Sequence, residues 1–287
     1  MPVFSYHDSA ITYTLEGNLN ATETVILLHG ELSDSTSWVH TIKALEANYR
    51  IFSYNRSPRT GMSIEGYLEE LIALLEELKL GAYHVVGHSA GGILAFRLAA
   101  KFPNRVLSLA LADTLGKLDA VLEVKIRSLL EALNAGGSGL AFMVAMPWLW
   151  GAHYLEYSRD HLEHVKTLAA GRDPAPTRIA LESILQFGDQ RKYLRAIDCP
   201  VLVTVGTEDI LTPMRYSHEI VEWIKPGLGV LVTITGGGHN APLERPDEFN
   251  RVLAGFLGRY QDFKAGNGFD DEPEDESEDD GAEYHEL

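Results

Sequence analysis

Apolar residues along this chain follow two rhythms, and their alternation predicts the architecture. Short unbroken runs such as Val25-Ile-Leu-Leu28 suit strands covered on both faces. Runs of this kind are predicted over residues 24–28, 49–54, 82–86, 106–112, 200–206 and 230–234. Between them apolar residues recur every three or four positions, as in the leucines at 68, 71, 74, 75 and 78, which predict a helix over 64–78. The same spacing predicts helices from Trp38 through Ala47, over 93–100 and over 247–260. At the N-terminus, residues 3–6 and 11–16 alternate apolar and polar positions around Asp8-Ser9, which predicts an antiparallel hairpin. Strands alternating with helices imply a mostly parallel α/β sheet with helices on both faces and its ligand site at the carboxyl ends of the strands.

The rhythm changes between Thr114 and Ala196, where no core strand is predicted. Leu118, Val121, Leu122, Ile126, Leu129, Leu130 and Leu133 fall at helical spacing, and an apolar stretch from Leu140 to Trp150 follows. Two more helices are predicted over 154–168 and 177–187. A structureless loop of this length is rare in a compact domain, so the segment is expected to form a helical cap over one end of the sheet. The expected organisation is a core over 1–113, a cap over 114–196, a second core part over 197–263 and a tail over 264–287.

Candidate chemistry sits where strands end. In His84-Val-Val-Gly87-His-Ser89-Ala-Gly91-Gly92 a strand turns into a helix within a few residues. Small residues at 87 and 91 leave room for that reversal, so the Ser89 hydroxyl stands clear of the sheet beside the amides of a helix N-terminus. Later strands end in Gly206-Thr-Glu-Asp209-Ile-Leu-Thr-Pro213 and Gly236-Gly-Gly-His239-Asn-Ala-Pro. A serine hydroxyl is a weak nucleophile until an imidazole takes its proton, and the imidazole needs a carboxylate to hold its tautomer. Ser89, Asp209 and His239 supply those three groups, with Glu208 as the solvent-side neighbour of the acid. Asp113, just past the strand over 106–112, is a second carboxylate at a strand end.

With His29-Gly30 and Trp38, the motifs Gly87-His-Ser-Ala-Gly91, Gly206-x-x-Asp209-x-x-x-Pro213 and Gly238-His239 make the chain resemble α/β-hydrolase-fold proteins with a helical cap. The resemblance runs from about Val3 to Tyr260. It implies that Ser89 is the nucleophile, Asp209 the acid and His239 the base, and that the backbone amides of Glu31 and Ala90 form an oxyanion hole. It implies no cofactor and no metal. Glu31 stands where relatives often carry an apolar residue or glycine, so its charge has to be paired or turned away from a developing oxyanion. The loop from Asn55 to Ser63 is one residue longer than the related Asp-x-x-Gly-x-Gly-x-Ser. Hydrolysis of an ester or lactone through an acyl-enzyme is the leading expectation. Hydrolysis of a carbon–carbon bond in a diketone-like substrate, and a weakly catalytic ligand-binding receptor, are the alternatives. Met143, Met146, Trp148, Leu149 and Trp150 either line an apolar acyl site or pack the cap onto the core.

Charge adjusts this picture at one end only. Of the 41 acidic residues, eleven lie in 270–287, leaving 30 against 24 Lys and Arg elsewhere, so the net charge of −17 is mostly the tail's. A self-repelling segment with so little to bury is expected to be disordered, with solvation weighed against docking to a basic partner. Nucleic-acid binding through phosphates is disfavoured. The start of the chain has no basic stretch followed by an apolar run, and no window approaches 18 unbroken apolar residues, so neither a leader nor a membrane span is expected and a cytoplasmic location is predicted. Cys199 is the single cysteine of the 287 residues, which excludes an intramolecular disulfide.

Overall fold

The computed structural model describes residues 1–7, 9–57, 63–260, 263 and 284–285. Strands β1 (Val3–Tyr6) and β2 (Ser9–Gly17) form the expected hairpin, with Val3 opposite Thr12. β2 continues antiparallel onto β4 (Arg50–Tyr54). From there β3 (Thr24–Leu28), β5 (Tyr83–His88), β6 (Val106–Ala112), β7 (Val201–Gly206) and β8 (Gly229–Ile234) extend a parallel sheet in the order β4-β3-β5-β6-β7-β8. The chain leaves β3 toward one edge and returns to β5 on the other side. The switch point of the strand order therefore lies between β3 and β5, where open α/β sheets leave a crevice for ligands.

Both faces of this sheet are covered, as the unbroken apolar runs require. Ile26 and Leu28 of β3 face the layer holding α2 (Ile64–Glu77), α3 (Ala90–Lys101) and α9 (Arg215–Trp223), through Leu71, Leu94, Phe96 and Ile220. Val25 and Leu27 face the opposite layer, built from α1 (Val39–Leu45) and α11 (Pro246–Gly258) through Trp38, Leu45, Phe249 and Leu253. Each such side chain, when fully buried, contributes on the order of 1.5–3 kcal/mol. Ser63 opens α2 by accepting the Gly66 N–H, a local stop for the preceding loop. α3 starts three residues earlier than its apolar spacing predicts, because Ala90, Gly91 and Gly92 are chosen for the turn rather than for helix propensity. α9 has only three buried residues in nine, Tyr216, Ser217 and Ile220, and the hydrophobic pattern gave no sign of it.

Between β6 and β7 the chain is helical, with α4 (Ala120–Leu149), α5 (Ala152–Tyr157), α6 (Arg159–Ala170), α7 (Pro174–Leu185) and the short α8 (Arg191–Leu194). α4 joins the two apolar stretches of the sequence into one element broken by non-helical backbone at Gly136 and Gly137. Its Leu122, Ile126, Leu129, Leu133, Ala141 and Ala145 are buried, and it packs on α6 and α7. Among the described residues α4 is the one helix long and apolar enough to cross a membrane by length and composition. Most of the expected tail lies outside the described residues. Tyr284–His285 are described, and they form a short strand β9, antiparallel to β8 at Leu231 and Val232. At those two residues the chain pairs with the sheet edge, contrary to a wholly disordered tail.

Candidate active site

Ser89 occupies the turn between β5 and α3 with φ +51° and ψ −122°, a left-handed conformation that costs a non-glycine residue free energy and that surrounding structure must enforce. The enforcement is steric. A Cβ on Gly91 would lie 2.1 Å from the Leu28 carbonyl oxygen, and one on Gly87 would lie 2.4 Å from that of Gly91, so β3, β5 and α3 meet closer than any side chain permits. The Ser89 N–H is held by the Ala112 carbonyl at 2.9 Å, and the Thr114 hydroxyl donates to the Ser89 carbonyl at 2.6 Å. Ala90 heads α3, so its N–H is one of the helix's first four, which have no intrahelical acceptor.

The loops after β7 and β8 bring the other two residues to the serine. His239 Nε2 lies 3.0 Å from Ser89 Oγ, and His239 Nδ1 lies 2.9 Å from Asp209 Oδ2. With Nδ1–H donated to the carboxylate, Nε2 presents a lone pair to the serine hydroxyl. Asp209 accepts the Leu211 and Thr212 N–H groups on Oδ1, each at 2.8 Å, and the Thr212 hydroxyl on Oδ2 at 2.7 Å. Burial opposes its charge, but His239 and these donors outweigh it and hold the carboxyl below the usual range. Thr212 Oγ1 also lies 3.0 Å from His239 Nδ1 and 3.1 Å from the Asp113 carbonyl, so one hydroxyl lies beside Asp209, His239 and the residue that follows β6.

Asp113 plays a different part from Asp209. It is fully buried, its Oδ1 accepts the Gly206 N–H at 2.9 Å, and its Oδ2 has no hydrogen-bond partner. Burial, with Asp209 nearby, pushes this carboxyl well above the usual range and so favours its protonated form. His88, next to the serine, donates Nε2–H to the His239 carbonyl at 2.7 Å, and burial lowers its imidazole to about 3. It is a neutral prop for the histidine loop.

The turn after β3 lies against the serine, since a Cβ on Gly30 would sit 3.2 Å from Ser89 Cβ. Glu31 on this turn is paired, with Oε1 3.3 Å from Nη1 of the buried Arg56. Arg56 Nη2 also donates to the Gly30 carbonyl at 2.6 Å, and its backbone N–H donates to His29 Nε2 at 3.4 Å. The charge the sequence left to be explained is thus faced by a cation from the loop after β4, and the guanidinium fixes the turn as well. Neither Arg56 nor Thr212 stands out in the sequence. Their partners come from distant loops, and a threonine before Pro213 or an arginine after a strand carries no local signature.

Cap residues divide. Trp150 is buried and stacks on Tyr154 with ring centroids 4.6 Å apart, whereas Trp148 is half-buried beneath Lys125 and Met146 is half-buried. Met143 is 41% exposed, unlike the buried Trp150. Glu208 is not a bystander: its Oε2 accepts the Ala152 N–H at 2.6 Å, tying the acid loop to the cap. Cys199 is buried, which pushes its thiol up to about 12 and makes it inert. No cluster of three or more His, Cys, Asp or Glu side chains placed to hold a metal ion occurs among the described residues.

Comparison with known proteins places this geometry among relatives. A family profile described as alpha/beta hydrolase fold matches residues 23–246. A protein of Caulobacter sp. (strain K31) that carries the name carbamate hydrolase RutD is 29% identical over 246 residues, which cover 82% of this chain and 90% of the relative. Among solved structures, the enol-lactonase from Burkholderia xenovorans LB400 superposes with a TM-score of 0.80 at 22% identity, covering 90% of this chain and 100% of its own. A thermophilic esterase from Thermogutta terrifontis superposes with a TM-score of 0.77 at 23% identity, covering 88% and 94%. The two structures share the fold.

Proposed function

The chain belongs to the α/β-hydrolase fold family and is a hydrolase of that fold, and from this premise we propose that it cleaves a carboxylic ester or lactone through an acyl-enzyme on Ser89. The observation that carries the reading is the pair of contacts, 3.0 Å from Ser89 Oγ to His239 Nε2 and 2.9 Å from His239 Nδ1 to Asp209 Oδ2. In this mechanism His239 Nε2 takes the hydroxyl proton as Ser89 Oγ bonds to the carbonyl carbon. The carbonyl oxygen becomes an oxyanion received by the Ala90 and Glu31 amides. Asp209 keeps its charge and stabilises the imidazolium. Collapse expels the alcohol, protonated by His239, and water then repeats the sequence on the acyl-serine. The Glu31–Arg56 pair supports this reading, because an unpaired carboxylate beside those amides would oppose the oxyanion.

A second reading, cleavage of a carbamate, is favoured by the relatives named carbamate hydrolase. It uses the same steps, except that expulsion of the alcohol or phenol leaves a carbamoyl-serine, which water cleaves to a carbamic acid that breaks down to the amine and carbon dioxide. One panel separates the two: kcat/KM for acyl esters of increasing chain length, small lactones and aryl and alkyl carbamates, with Ser89→Ala as control. The first reading expects esters or lactones to be turned over at least tenfold better than carbamates of the same acyl size. The reverse order would establish the second.

A further inference from the structure

Glu244, the last residue of α10 (Ala241–Glu244), turns back on the loop that carries the base. Its Oε1 accepts the Asn240 N–H at 3.1 Å, and the Gly238 N–H donates to the same carboxylate. These are the residues on either side of His239, so one side chain grips the base's backbone from both directions. Its Oε2 accepts the Gly151 N–H of the cap at 2.8 Å. Asn240 reinforces the joint by donating Nδ2–H to the Leu149 carbonyl at 3.0 Å, and Glu208 holds the Ala152 N–H from the acid loop. The approach leaves no room for side chains. A Cβ on Gly238 would lie 2.2 Å from Gly151 N, and one on Gly151 would lie 2.8 Å from Glu208 Oε2 and 3.1 Å from Glu244 Oε2.

We infer that Glu244 is a positioning residue for His239, holding the imidazole against Ser89, setting a second negative charge beside it, and making the cap's return at Gly151 part of the base's support. The inference rests on the reading of His239 as the general base. Because N–H groups occupy both oxygens of Glu244, neither side has an acceptor for a carboxyl proton, and the geometry favours the anion. Burial nevertheless pushes this carboxyl above its usual range, against the three N–H donors and the His239 charge. The other groups facing the acid–base pair are few. Asp209 carries a negative charge from the loop after β7, burial pushes the carboxyl of Asp113, just past β6, well above its usual range, and it lowers the imidazole of His88 on β5 to about 3. Lys125 of α4 stands on the Asp209 side, and Tyr154 of α5 and Glu208 stand near the joint.

The test compares wild type, Glu244→Gln and Gly151→Ala by NMR titration of the His239 ring proton and by the pH profile of kcat/KM for p-nitrophenyl acetate. Removing the Glu244 charge makes the imidazolium less favourable, so Glu244→Gln should move the acid limb of the profile to lower pH. Its kcat should fall about tenfold with KM nearly unchanged, a loss confined to transition-state stabilisation. Gly151→Ala keeps both charges but wedges the joint, so kcat should fall while the acid limb of the profile stays in place. A Glu244→Gln protein with wild-type kcat and titration and only a lower Tm would overturn the inference. If that variant does not fold, undiminished kcat in Gly151→Ala would overturn it and a severalfold loss would sustain it. The NMR arm needs no substrate. A His239 titration that responds to Glu244 in a protein with no esterase activity would defeat the proposed function and leave the hold on His239 standing.

Discussion

At the scale of single residues the proposed mechanism divides the site into groups that react and groups that hold them. Ser89→Ala removes the nucleophile and should cost on the order of 10⁶ in turnover, read as kcat on an ester that wild type cleaves. Asp209→Asn keeps the shape but frees the imidazole to take the wrong tautomer, at a cost of about 10⁴. Asp113→Asn should leave kcat within a fewfold, because the burial that pushes the Asp113 carboxyl up disfavours its charge. Its signature is in stability. With a folded pKa raised above the unfolded value, Asp113 contributes stability below about pH 4, and that contribution is lost as pH rises through the folded pKa. The Asn variant, measured by urea unfolding from pH 4 to 8, should therefore gain relative to wild type as pH rises. The candidates Ser89, Asp209 and His239, which the structure brings together, could be picked out of the sequence because each follows an apolar run and a glycine. Thr212, Arg56 and Glu244 could not, since what they do depends on backbone N–H and carbonyl groups that only the folded loops bring together. Glu208 was legible as a residue and misread as a role, because its partner, the Ala152 N–H, belongs to the cap.

At the scale of elements the informative part is the cap. Apolar spacing revealed its helices, but the union of 120–149 into one broken helix follows from packing against α6 and α7, which periodicity alone does not encode. The sequence also left open whether the tryptophans line a pocket or pack the core, and burial separates them. Trp150, stacked on Tyr154 and adjacent to the Gly151 joint, is expected to pack. Its replacement by Ala should cost on the order of 3–5 kcal/mol in urea unfolding, with no change in which ester is preferred. Trp148, half-buried, should do the converse: its Ala variant changes the ranking of acyl chain lengths and loses less stability. A reversal of those two outcomes would place the acyl site on the other side of the cap's return.

At the scale of the whole molecule, the sheet order sets the site and burial sets the pH range in which it survives. His29 and His88 are buried and lowered to about 3, far below the 6.5 of a free imidazole. Their contribution to stability is present above pH 6.5 and is lost as pH falls from there toward 3, because the unfolded chain takes up protons that the folded one refuses. The urea midpoint should drop over that interval, and less so in His88→Asn. Truncation before residue 264 removes only two described sheet residues, so it should cost less than about 1 kcal/mol and leave turnover unchanged.

The central claim is that Ser89 carries the acyl group, and rapid quench of the protein with a p-nitrophenyl ester, followed by peptide mass spectrometry, tests it most directly. An acyl adduct is expected on the peptide containing Ser89, building up before the steady state in the wild-type protein and absent in Ser89→Ala. Turnover that persists in Ser89→Ala, or an adduct on any other residue, would contradict it.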